Sequence, residues 1–399
     1  MHLNILTILL VALPASSFSR PAPSPRSAFA PPFSHPGRAA KTIGPSLSRS
    51  GPPLPSVRPA SVPEKGNADG TPRRRRRVRY AGKYPRNFSE KYKEHAGDTE
   101  VVRRVLEKGN TPAGTHVPIM SAECMERLGL AGGGVGPDTL VVDCTLGYGG
   151  HASRVLERLA SGRGGRLIGF DRDPLEIAKT DARLRERLIP AGAPGDSAVL
   201  TTVNQNFSTL GAYLESTGET GHVTSLLADL GLSSMQIDDN ERGFTFKREG
   251  PLDMRMDTGN GTTSESAYAL LSRIRPRDLS RLLAENSDEE FATEIASGLL
   301  DGGKRKIPKT TVELAERVRE IVRPLLRTDE KKQVDSTIAR VMQAIRIEVN
   351  GEFRALETLL NDLPSILAPG GSAVFLTFHS GEDRRVKKSF KAGFKSGIY

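Results

Sequence analysis

The sequence predicts an α/β fold in which a mostly parallel, Rossmann-like sheet is interrupted by a helical subdomain. From residue 140 onward, apolar strand-like segments alternate with helix-like segments, a pattern typical of parallel strands joined by crossover helices. Near residue 264 the alternation stops, and several amphipathic helices follow before the last strand. A chain of 399 residues is long enough to form one large or two modest domains.

Five strands are predicted from short apolar runs, over residues 140–144, 166–171, 199–204, 225–229 and 373–377. Helices are predicted between the first four strands, near residues 151–159, 175–188 and 210–216. In such sheets ligands bind in the crevice at the carboxyl ends of the strands. We therefore expect the functional residues at this edge.

An inserted helical subdomain is predicted between the fourth and fifth strands, over residues 258–342. Thr310 and Glu313 have the spacing of a capping box that begins one of its helices. Apolar residues continue at helical spacing beyond this helix and are interpreted as core. The α/β core is then expected in two parts, residues 86–257 and 343–399.

The first 85 residues differ sharply from the rest in composition. They contain 15 of the 27 prolines, 14 of the 57 basic side chains and only two of the 47 acidic ones, Glu64 and Asp69. The remainder has 43 basic and 45 acidic side chains, so the sequence pI of 9.6 reflects the leader. The overall charge therefore does not by itself indicate that the folded part binds nucleic acid.

Residues 1–85 are predicted to be a targeting presequence and disordered leader. An apolar run over residues 3–13 has the length of a signal-peptide core, and a stretch rich in Ser, Pro, Ala and Arg follows it. In series, the two segments resemble the bipartite plastid presequence of algae with secondary plastids. This resemblance implies a plastid location, with no stable membrane association after processing. A mitochondrial presequence and a plain disordered tail stay open as alternatives.

Basic clusters are candidate RNA contacts, although most charge runs are solvated faces. They are Arg273, Arg275, Arg277 and Arg281; Lys304, Arg305, Lys306 and Lys309; and Arg384, Arg385, Lys387 and Lys388. Five arginines at residues 73–77 either contact RNA or simply end the targeting segment. The two cysteines, Cys124 and Cys144, predict neither a disulfide framework nor a metal site.

A glycine-rich turn follows the first predicted strand of the core. Gly147, Gly149 and Gly150 would let a nucleotide-like ligand approach the backbone, and the next helix would offer unpaired amides. Asp171 ends the second strand, where an acid can accept hydrogen bonds from two ribose hydroxyls. The glycines lack the full G-x-G-x-x-G spacing that a dinucleotide enzyme needs. This favours a methyltransferase, and a bare structural turn is the alternative.

Polar residues surround three glycines in the segment 226–257, directly after the apolar fourth strand. They are Asp229, Ser233, Ser234, Gln236, Asp238, Asp239, Arg242, Asp253, Arg255 and Asp257. Functional residues concentrate on loops that a rigid scaffold holds, so this segment is interpreted as part of a pocket.

With other motifs, this segment resembles the bacterial-type rRNA small-subunit methyltransferase H family. The other motifs, in the family's order, are His116-Val-Pro-Ile, Asp143-Cys-Thr-Leu-Gly-Tyr-Gly-Gly-His151, Ile168-Gly-Phe-Asp-Arg-Asp-Pro174, Asn206-Phe-Ser208, Gln343-Ala-Ile-Arg-Ile347 and Phe378-His-Ser-Gly-Glu-Asp-Arg384. The resemblance extends from about residue 115 to the C-terminus. It implies a class I S-adenosylmethionine methyltransferase sheet and methylation of the exocyclic N4 of a cytidine in the ribosomal decoding region.

The resemblance also implies site residues and partners. The residues expected to contact S-adenosyl-L-methionine are Gly149, Gly150, His151, Asp171, Phe207, Asp229 and Gln236. The predicted catalytic residues are Asp229, Asp253 and His379. Our hypothesis is that Asp229 contacts the methionine end or the amine, while Ser233, Ser234, Asp253 or His379 helps to orient the cytosine. The expected partner is small-subunit rRNA or the small ribosomal subunit, held in part by the helical insertion, and a homodimer is left open.

Some features depart from the family pattern. Gly381 replaces a leucine and is expected to loosen the turn beside His379, and Met235 replaces a proline. The family's last strands are expected to be missing, which would leave the fifth strand as an unprotected edge. These departures motivate an alternative function, a catalytically weak, rRNA-binding ribosome-assembly factor on the same fold. A nicotinamide-dependent oxidoreductase is disfavoured by the glycine spacing and by the helical insertion.

Overall fold

The computed structural model describes residues 7–12, 118–131, 135–162, 164–188, 199–257, 264–300, 307–326 and 331–399. All of them belong to one compact unit. The rest of the predicted leader, His116 and Val117 of the His116 motif, and the basic residues 304–306 lie outside the described residues, so the predictions made for them stay predictions.

One sheet is formed by β1 Thr7–Ala12, β2 Leu140–Asp143, β3 Arg166–Phe170, β4 Leu200–Val203, β5 Val223–Asp229 and β6 Leu367–Thr377. Their spatial order is β1-β6-β5-β2-β3-β4. Strands β2 to β6 are parallel to their neighbours, whereas β1 is antiparallel to β6. The five predicted strands and the α/β fold class are confirmed.

Strand β6 begins earlier than predicted, at Leu367 rather than at residue 373. Its pairing with β5 shifts register between Val223 and Ser225, opposite a pair of glycines. A Cβ at Gly371 would lie 2.7 Å from the Val223 carbonyl oxygen, so only glycine fits this irregularity. In the sequence, Gly370 and Gly371 look like a break outside a strand. The predicted strand was therefore placed after them and began too late.

Strand β1 covers the free edge of β6. Thr7 to Ala12 pair with β6 over its whole carboxyl-terminal half, from Thr377 back to Ser372. The sequence predicted an unprotected edge at this place, and the pairing corrects that prediction, because the described β6 has a strand on both sides. Removal of residues 1–85 as a targeting presequence would take this strand away, and the targeting role of the leader stays a prediction.

The described helices are α1 Ser121–Arg127, α2 Gly150–Ser161, α3 Pro174–Leu188, α4 Leu210–Thr217, α5 Ser234–Asp238, α6 Ala267–Arg273, α7 Pro276–Ser287, α8 Ala292–Leu299, α9 Thr311–Val322, α10 Lys331–Asn350, α11 Glu352–Ile366 and α12 Ser380–Lys395. Helices α2 to α4 confirm the three crossover helices predicted. In the described part of the chain, no helix is both long enough and apolar enough to cross a membrane.

Helices cover both faces of the sheet. Successive side chains of a strand point to opposite faces. Val141 and Leu227 therefore pack on one side with α1, α2 and α3, whereas Val142 and Leu226 pack on the other with α4, α11 and α12. The sheet is thus buried on both faces, as the apolar sequences of its strands require.

Helices α6 to α10 form the predicted insertion and have a core of their own. The core residues include Leu283, Ile295, Val318 and Ile345. The predicted capping box begins α9, since Thr310 Oγ1 accepts a hydrogen bond from the next turn's backbone at 3.2 Å. The predicted domain boundary at residue 342 falls inside α10, which continues as one helix to Asn350.

Candidate active site

The carboxyl ends of β2, β3, β5 and β6 meet at one edge of the sheet. The strand register aligns the end of β2 with β5 and the end of β5 with β6. The glycine turn follows β2, Asp171 follows β3, Asp229 ends β5 and His379 lies just beyond β6. Residues distant in sequence therefore lead into one crevice.

The glycine turn is held by Asp171. Gly147 and Gly149 have φ angles of +47° and +68°, which favour glycine. The Gly147 N–H donates to Asp171 Oδ2 at 2.7 Å, and the Asp173 N–H donates to Oδ1 at 2.8 Å. Burial raises the pKa of Asp171 to about 6, although these two donors act in the opposite direction. Gly150 is the first residue of α2, so the turn brings the N-terminus of this helix to the crevice.

Two acids, the buried Asp143 and the partly exposed Asp229, lie at the ends of β2 and β5. Asp143 accepts a 3.0 Å hydrogen bond from the Thr145 N–H, and the Asp229 N–H donates to Thr145 Oγ1 at 2.8 Å. Burial raises the pKa of each carboxyl group to about 7. For Asp229, repulsion from Asp143 and then from Glu382 adds to this effect. The Asp229 side chain is 29% exposed, whereas Asp143 is only 2% exposed. Of these two acids, Asp229 is therefore the one that a ligand can reach.

His151 lies against Asp229 from the first turn of α2. Its Nε2 is 3.7 Å from Asp229 Oδ2, which is too long for a hydrogen bond. Burial lowers the pKa of His151 to about 4, so the ring is neutral at neutral pH. Among the described residues, neither ring nitrogen of His151 nor Asp229 Oδ1 has a hydrogen-bond partner, although all three atoms are buried. Buried polar atoms without a partner are uncommon, and here they indicate a place for a ligand's polar groups.

His379 is supported by Glu382 and Phe353. Its Nε2 lies 3.2 Å from Glu382 Oε1, and Glu382 Oε2 accepts a 2.8 Å hydrogen bond from the Phe378 N–H. The rings of Phe353 and His379 have centroids 5.7 Å apart. A Cβ at Gly381 would lie 2.5 Å from Phe353 Cζ, so the phenyl ring fills the space beside this glycine. Gly381 is buried in the first turn of α12, and its loosening effect on the turn stays a prediction.

Phe207 and Gln236 lie on loops after β4 and β5. Phe207 begins a short 3-10 turn, Phe207–Thr209. Its ring is half-buried against the core on the sheet face that contains Val142 and Leu226. Gln236 Oε1 accepts a 3.0 Å hydrogen bond from the Ser233 N–H, and Ser233 Oγ accepts one from the Gln236 N–H at 3.2 Å. The two residues thus form a reciprocal cap at the start of α5, which leaves the Gln236 amide nitrogen for other contacts.

Asp253 belongs to a different contact network. Its carboxylate forms a bidentate pair with Arg255, at 2.8 Å from Nε and 2.7 Å from Nη2. The Asp253 carbonyl accepts a 2.7 Å hydrogen bond from the Ala267 N–H at the start of α6. These contacts tie Asp253 to the helical insertion, whereas the predicted catalytic residue Asp229 contacts the glycine-turn region.

The arginines of the segment 226–257 pair with acids. Arg242 Nη1 lies 2.6 Å from Asp173 Oδ2, and both side chains are buried. Arg172 lies 3.1 Å from Asp257. Together these pairs fasten the segment to the loop after β3, beside the glycine turn.

The described members of the basic clusters are also partly neutralised. Arg273 pairs with Glu265, and Arg275 and Arg281 both contact Asp278. Their side chains are well exposed, so each pair contributes little to stability and can exchange its partner for another anion. The insertion therefore presents a face of mixed charge.

The structure brings His151 and Asp229 into contact, and also Asp171 with the glycine turn. Three further residues, Asp143, Thr145 and Glu382, contact or perturb these side chains and were not predicted from the sequence. Asp143 and Thr145 belong to the quoted glycine motif and Glu382 to the quoted His379 motif. Position inside these motifs was therefore the signal that could have indicated them.

The doubly wound parallel sheet, with a glycine turn after its first parallel strand and an acid after the second, defines a Rossmann-like class I methyltransferase fold. The sequence profile of the MraW methylase family matches residues 113–397, so the chain belongs to this family.

Curated relatives match most of the chain. It is 43% identical over 328 residues to ribosomal RNA small subunit methyltransferase H 1 of Agathobacter rectalis, covering 82% of this chain and 88% of the relative. The protein of the same name from Lachnoclostridium phytofermentans is 41% identical over 331 residues, covering 82% and 85%. Ribosomal RNA small subunit methyltransferase H 2 of Alkaliphilus metalliredigens is 41% identical over 330 residues, covering 82% and 89%.

Proposed function

We propose that this protein transfers a methyl group from S-adenosyl-L-methionine to the exocyclic N4 of a cytidine in the decoding region of small-subunit rRNA. Its family and the names of its relatives support rRNA as the substrate. The observation that carries the proposal is the partly exposed Asp229 beside the glycine turn, with a pKa of about 7 and an unpartnered Oδ1.

The residues of the glycine turn fit the proposed cofactor. Each Asp171 oxygen accepts one backbone hydrogen bond and retains lone-pair capacity for a ribose hydroxyl. His151 has two ring nitrogens without partners among the described residues. Phe207 offers a half-buried ring for an adenine, and Gln236 retains its amide donors. When bound, S-adenosyl-L-methionine supplies an electrophilic methyl group on a sulfonium.

Asp229 addresses the chief difficulty of N4 methylation. The N4 lone pair of cytosine is delocalised into the ring and is a poor nucleophile. A carboxylate that accepts a hydrogen bond from one N4 proton increases electron density on nitrogen and fixes the direction of attack. The Asp229 side chain is 29% exposed, so a substrate can reach its carboxylate, and its pKa of about 7 leaves a substantial ionised fraction at neutral pH. Alignment of the two reactants supplies much of the remaining acceleration.

His379 and the insertion are assigned to the RNA side of the site. His379 lies against Glu382 and the Phe353 ring, just beyond the end of β6, and its assigned role is to orient the cytosine. Asp253 contributes through the insertion, because its partners Arg255 and Ala267 lie there and in the preceding loop. The target cytidine must be unpaired or extruded for its N4 to reach Asp229.

The finer biological setting is part of the same proposal. The substrate is small-subunit rRNA, free or in the small ribosomal subunit, and the composition of residues 1–85 supports action in a plastid, with the mitochondrion as the alternative. The division into a leader, residues 1–85, a core in two parts and a substrate-recognition insertion, residues 258–342, is likewise proposed. A homodimer is compatible with this scheme.

Transfer of labelled methyl from S-adenosyl-L-methionine to small ribosomal subunits that lack N4 methylation tests the proposal. The full chain is incubated with subunits and, separately, with free rRNA, and cofactor and RNA binding are measured in parallel. Incorporation into rRNA supports the proposal. Binding of rRNA without incorporation would favour the ribosome-assembly factor, and failure to bind S-adenosyl-L-methionine would contradict the proposed activity.

A further inference from the structure

The glycine turn is braced from α3 as well as by Asp171, and we infer that Thr180 is the residue that positions it for the cofactor. Thr180 is 0% exposed, in the middle of α3. Its Oγ1 donates a 2.6 Å hydrogen bond to the Gly147 carbonyl. The N–H of the same glycine donates to Asp171, so side chains hold both backbone polar groups of Gly147.

The methyl group of Thr180 packs against a second glycine of the turn. A Cβ added at Gly149 would lie 2.8 Å from Thr180 Cγ2 and 3.1 Å from a methyl carbon of Leu184. Threonine is stiff about χ1 because it is β-branched. A single restrained side chain therefore supplies a hydrogen bond to Gly147 and a packing surface to Gly149.

Arg183, on the next turn of α3, extends this contact. Its guanidinium donates to the Tyr148 carbonyl, and Nη2 lies 3.1 Å from Thr180 Oγ1. The guanidinium carbon lies 5.9 Å from the centre of the Tyr148 ring. The carbonyls of two successive turn residues are thus held against α3, and Thr180 contacts both the turn and the arginine.

This inference rests on the proposed function, because it takes S-adenosyl-L-methionine as the ligand of the turn. Gly147 and Gly149 hold left-handed conformations that must persist when the ligand is absent if the site is to be preformed. Without the Thr180 hydroxyl, the Gly147 carbonyl loses its side-chain partner and the turn is free to relax. Thr180 contacts the turn and is therefore a positioning residue, whose loss weakens cofactor binding more than it slows the saturated enzyme.

The test compares Thr180→Val with Thr180→Ser in the full chain. Valine keeps the shape of threonine without the hydroxyl, and serine keeps the hydroxyl without the methyl group. Thr337→Val is the matched control, since Thr337 is equally buried, lies on α10 and also contacts an arginine, Arg340, at 3.1 Å. Two quantities are measured: the Kd of S-adenosyl-L-methionine by calorimetry, and amide hydrogen exchange of residues 146–151 without ligand.

We expect Thr180→Val to weaken cofactor binding about tenfold, as for one lost hydrogen bond, and to accelerate exchange in the turn. Thr180→Ser should keep most of the affinity, and Thr337→Val should change neither quantity. Wild-type affinity and exchange in Thr180→Val would overturn the inference, as would a Thr180→Ser protein as weak as Thr180→Val. If the wild-type protein binds no S-adenosyl-L-methionine, the proposed function fails. The exchange data then decide alone whether Thr180 holds the turn.

Discussion

His151 Nε2 and Asp229 Oδ2 lie 3.7 Å apart at the carboxyl edge of the sheet, one on the first turn of α2 and the other at the end of β5. The imidazole is neutral because burial lowers its pKa to about 4, and burial raises the pKa of the acid to about 7. The contact is too long to be a hydrogen bond, so neither side chain satisfies the polar atoms of the other.

Replacing Asp229 tests its proposed role as acceptor of the N4 proton. We expect Asp229→Asn to lower methyl transfer at saturating cofactor by at least about 100-fold, the scale of a lost acid–base contact, with a much smaller change in cofactor Kd. Stopped-flow or quench measurements of the single-turnover rate separate the two effects. Asp362, whose pKa burial also raises, lies on α11 outside this crevice, and Asp362→Asn is the matched control. Full turnover by Asp229→Asn or Asp229→Ala with intact cofactor binding would remove Asp229 from the mechanism.

The pH dependence should report the ionisation of Asp229. The carboxylate form accepts the proton, so kcat/KM should rise with pH and level off above about 7. Asp143 repels the charged form of Asp229, so Asp143→Asn should lower the pKa of Asp229 and shift the profile to lower pH. A profile that stays at the same pH in Asp143→Asn would contradict the coupling between these acids.

The same variant should change the pH dependence of folding stability. The folded-state pKa of Asp143 is raised from 3.8 to about 7, so the folded protein binds this proton more tightly than the unfolded chain does. Stability from this group is fully present below pH 3.8 and is lost as the pH rises through 7. Asp143→Asn should therefore stabilise the protein at pH 8, by up to about 4 kcal/mol, and less at pH 5. Denaturant unfolding at the two pH values measures the difference.

Enlarging Gly381 should displace Phe353 and so disturb His379. We expect Gly381→Leu to cost about 1–3 kcal/mol of stability, the range for overpacked sites, and to reduce methyl transfer. The double variant Gly381→Leu, Phe353→Ala should recover part of the stability, because the added side chain then enters the vacated space. Equal losses in the single and the double variant would show that the two residues do not share this space.

The ion pair between Asp288 and Arg384 should matter for RNA and little for folding. Arg384 donates two 2.9 Å hydrogen bonds to the Asp288 carboxylate, which also accepts one from Ser380 at 2.9 Å. This contact joins the end of α7 in the insertion to the start of α12, next to His379. Because both side chains are about half exposed, Asp288→Ala should change stability by no more than about 1 kcal/mol.

In Asp288→Ala we expect a severalfold higher KM for rRNA with an unchanged cofactor Kd, because the insertion loses its fixed position relative to His379. Steady-state kinetics with each substrate varied in turn provide the measurement. Asp278→Ala, which breaks a surface ion pair within the insertion, is the control. A changed cofactor Kd with an unchanged KM for rRNA would contradict the placement of this ion pair on the RNA side of the site.

Deleting the first 19 residues should expose the edge of β6. The unpaired N–H and C=O groups of such an edge favour pairing with another chain. We therefore expect the shortened protein to self-associate, as measured by light scattering during size-exclusion chromatography, whereas a deletion of residues 20–60 should not. A shortened protein with unchanged stability and association would show that β1 is dispensable, as the targeting role of residues 1–85 requires.

The sequence predicted the sheet well because most of its strands are short apolar runs, three of which end at or just before an acid, Asp143, Asp171 and Asp229. It did not predict β1, since an uninterrupted apolar segment such as 7–12 suits a signal-peptide core as well as a strand. Helix α11 was also missed, although Phe353, Leu356 and Leu360 have helical spacing, because Pro364 lies inside its last turn.

The candidate site was predictable only in part. The glycine turn and Asp171 follow strands directly, so their meeting at one edge of the sheet is a consequence of topology. The contact of Thr180 with Gly147 and that of Phe353 with Gly381 join residues distant in sequence and depend on how helices pack on the sheet. No local pattern encodes them.

The central claim is that Asp229, beside the glycine turn, directs methyl transfer to a cytidine N4. Mass-spectrometric mapping of small-subunit rRNA after reaction with the full chain and labelled S-adenosyl-L-methionine tests it most directly, with Asp229→Asn in parallel. We expect one labelled N4-methylcytidine in the decoding region with the wild-type protein and almost none with Asp229→Asn. A label on another atom or in another region, or equal labelling by the variant, would contradict it.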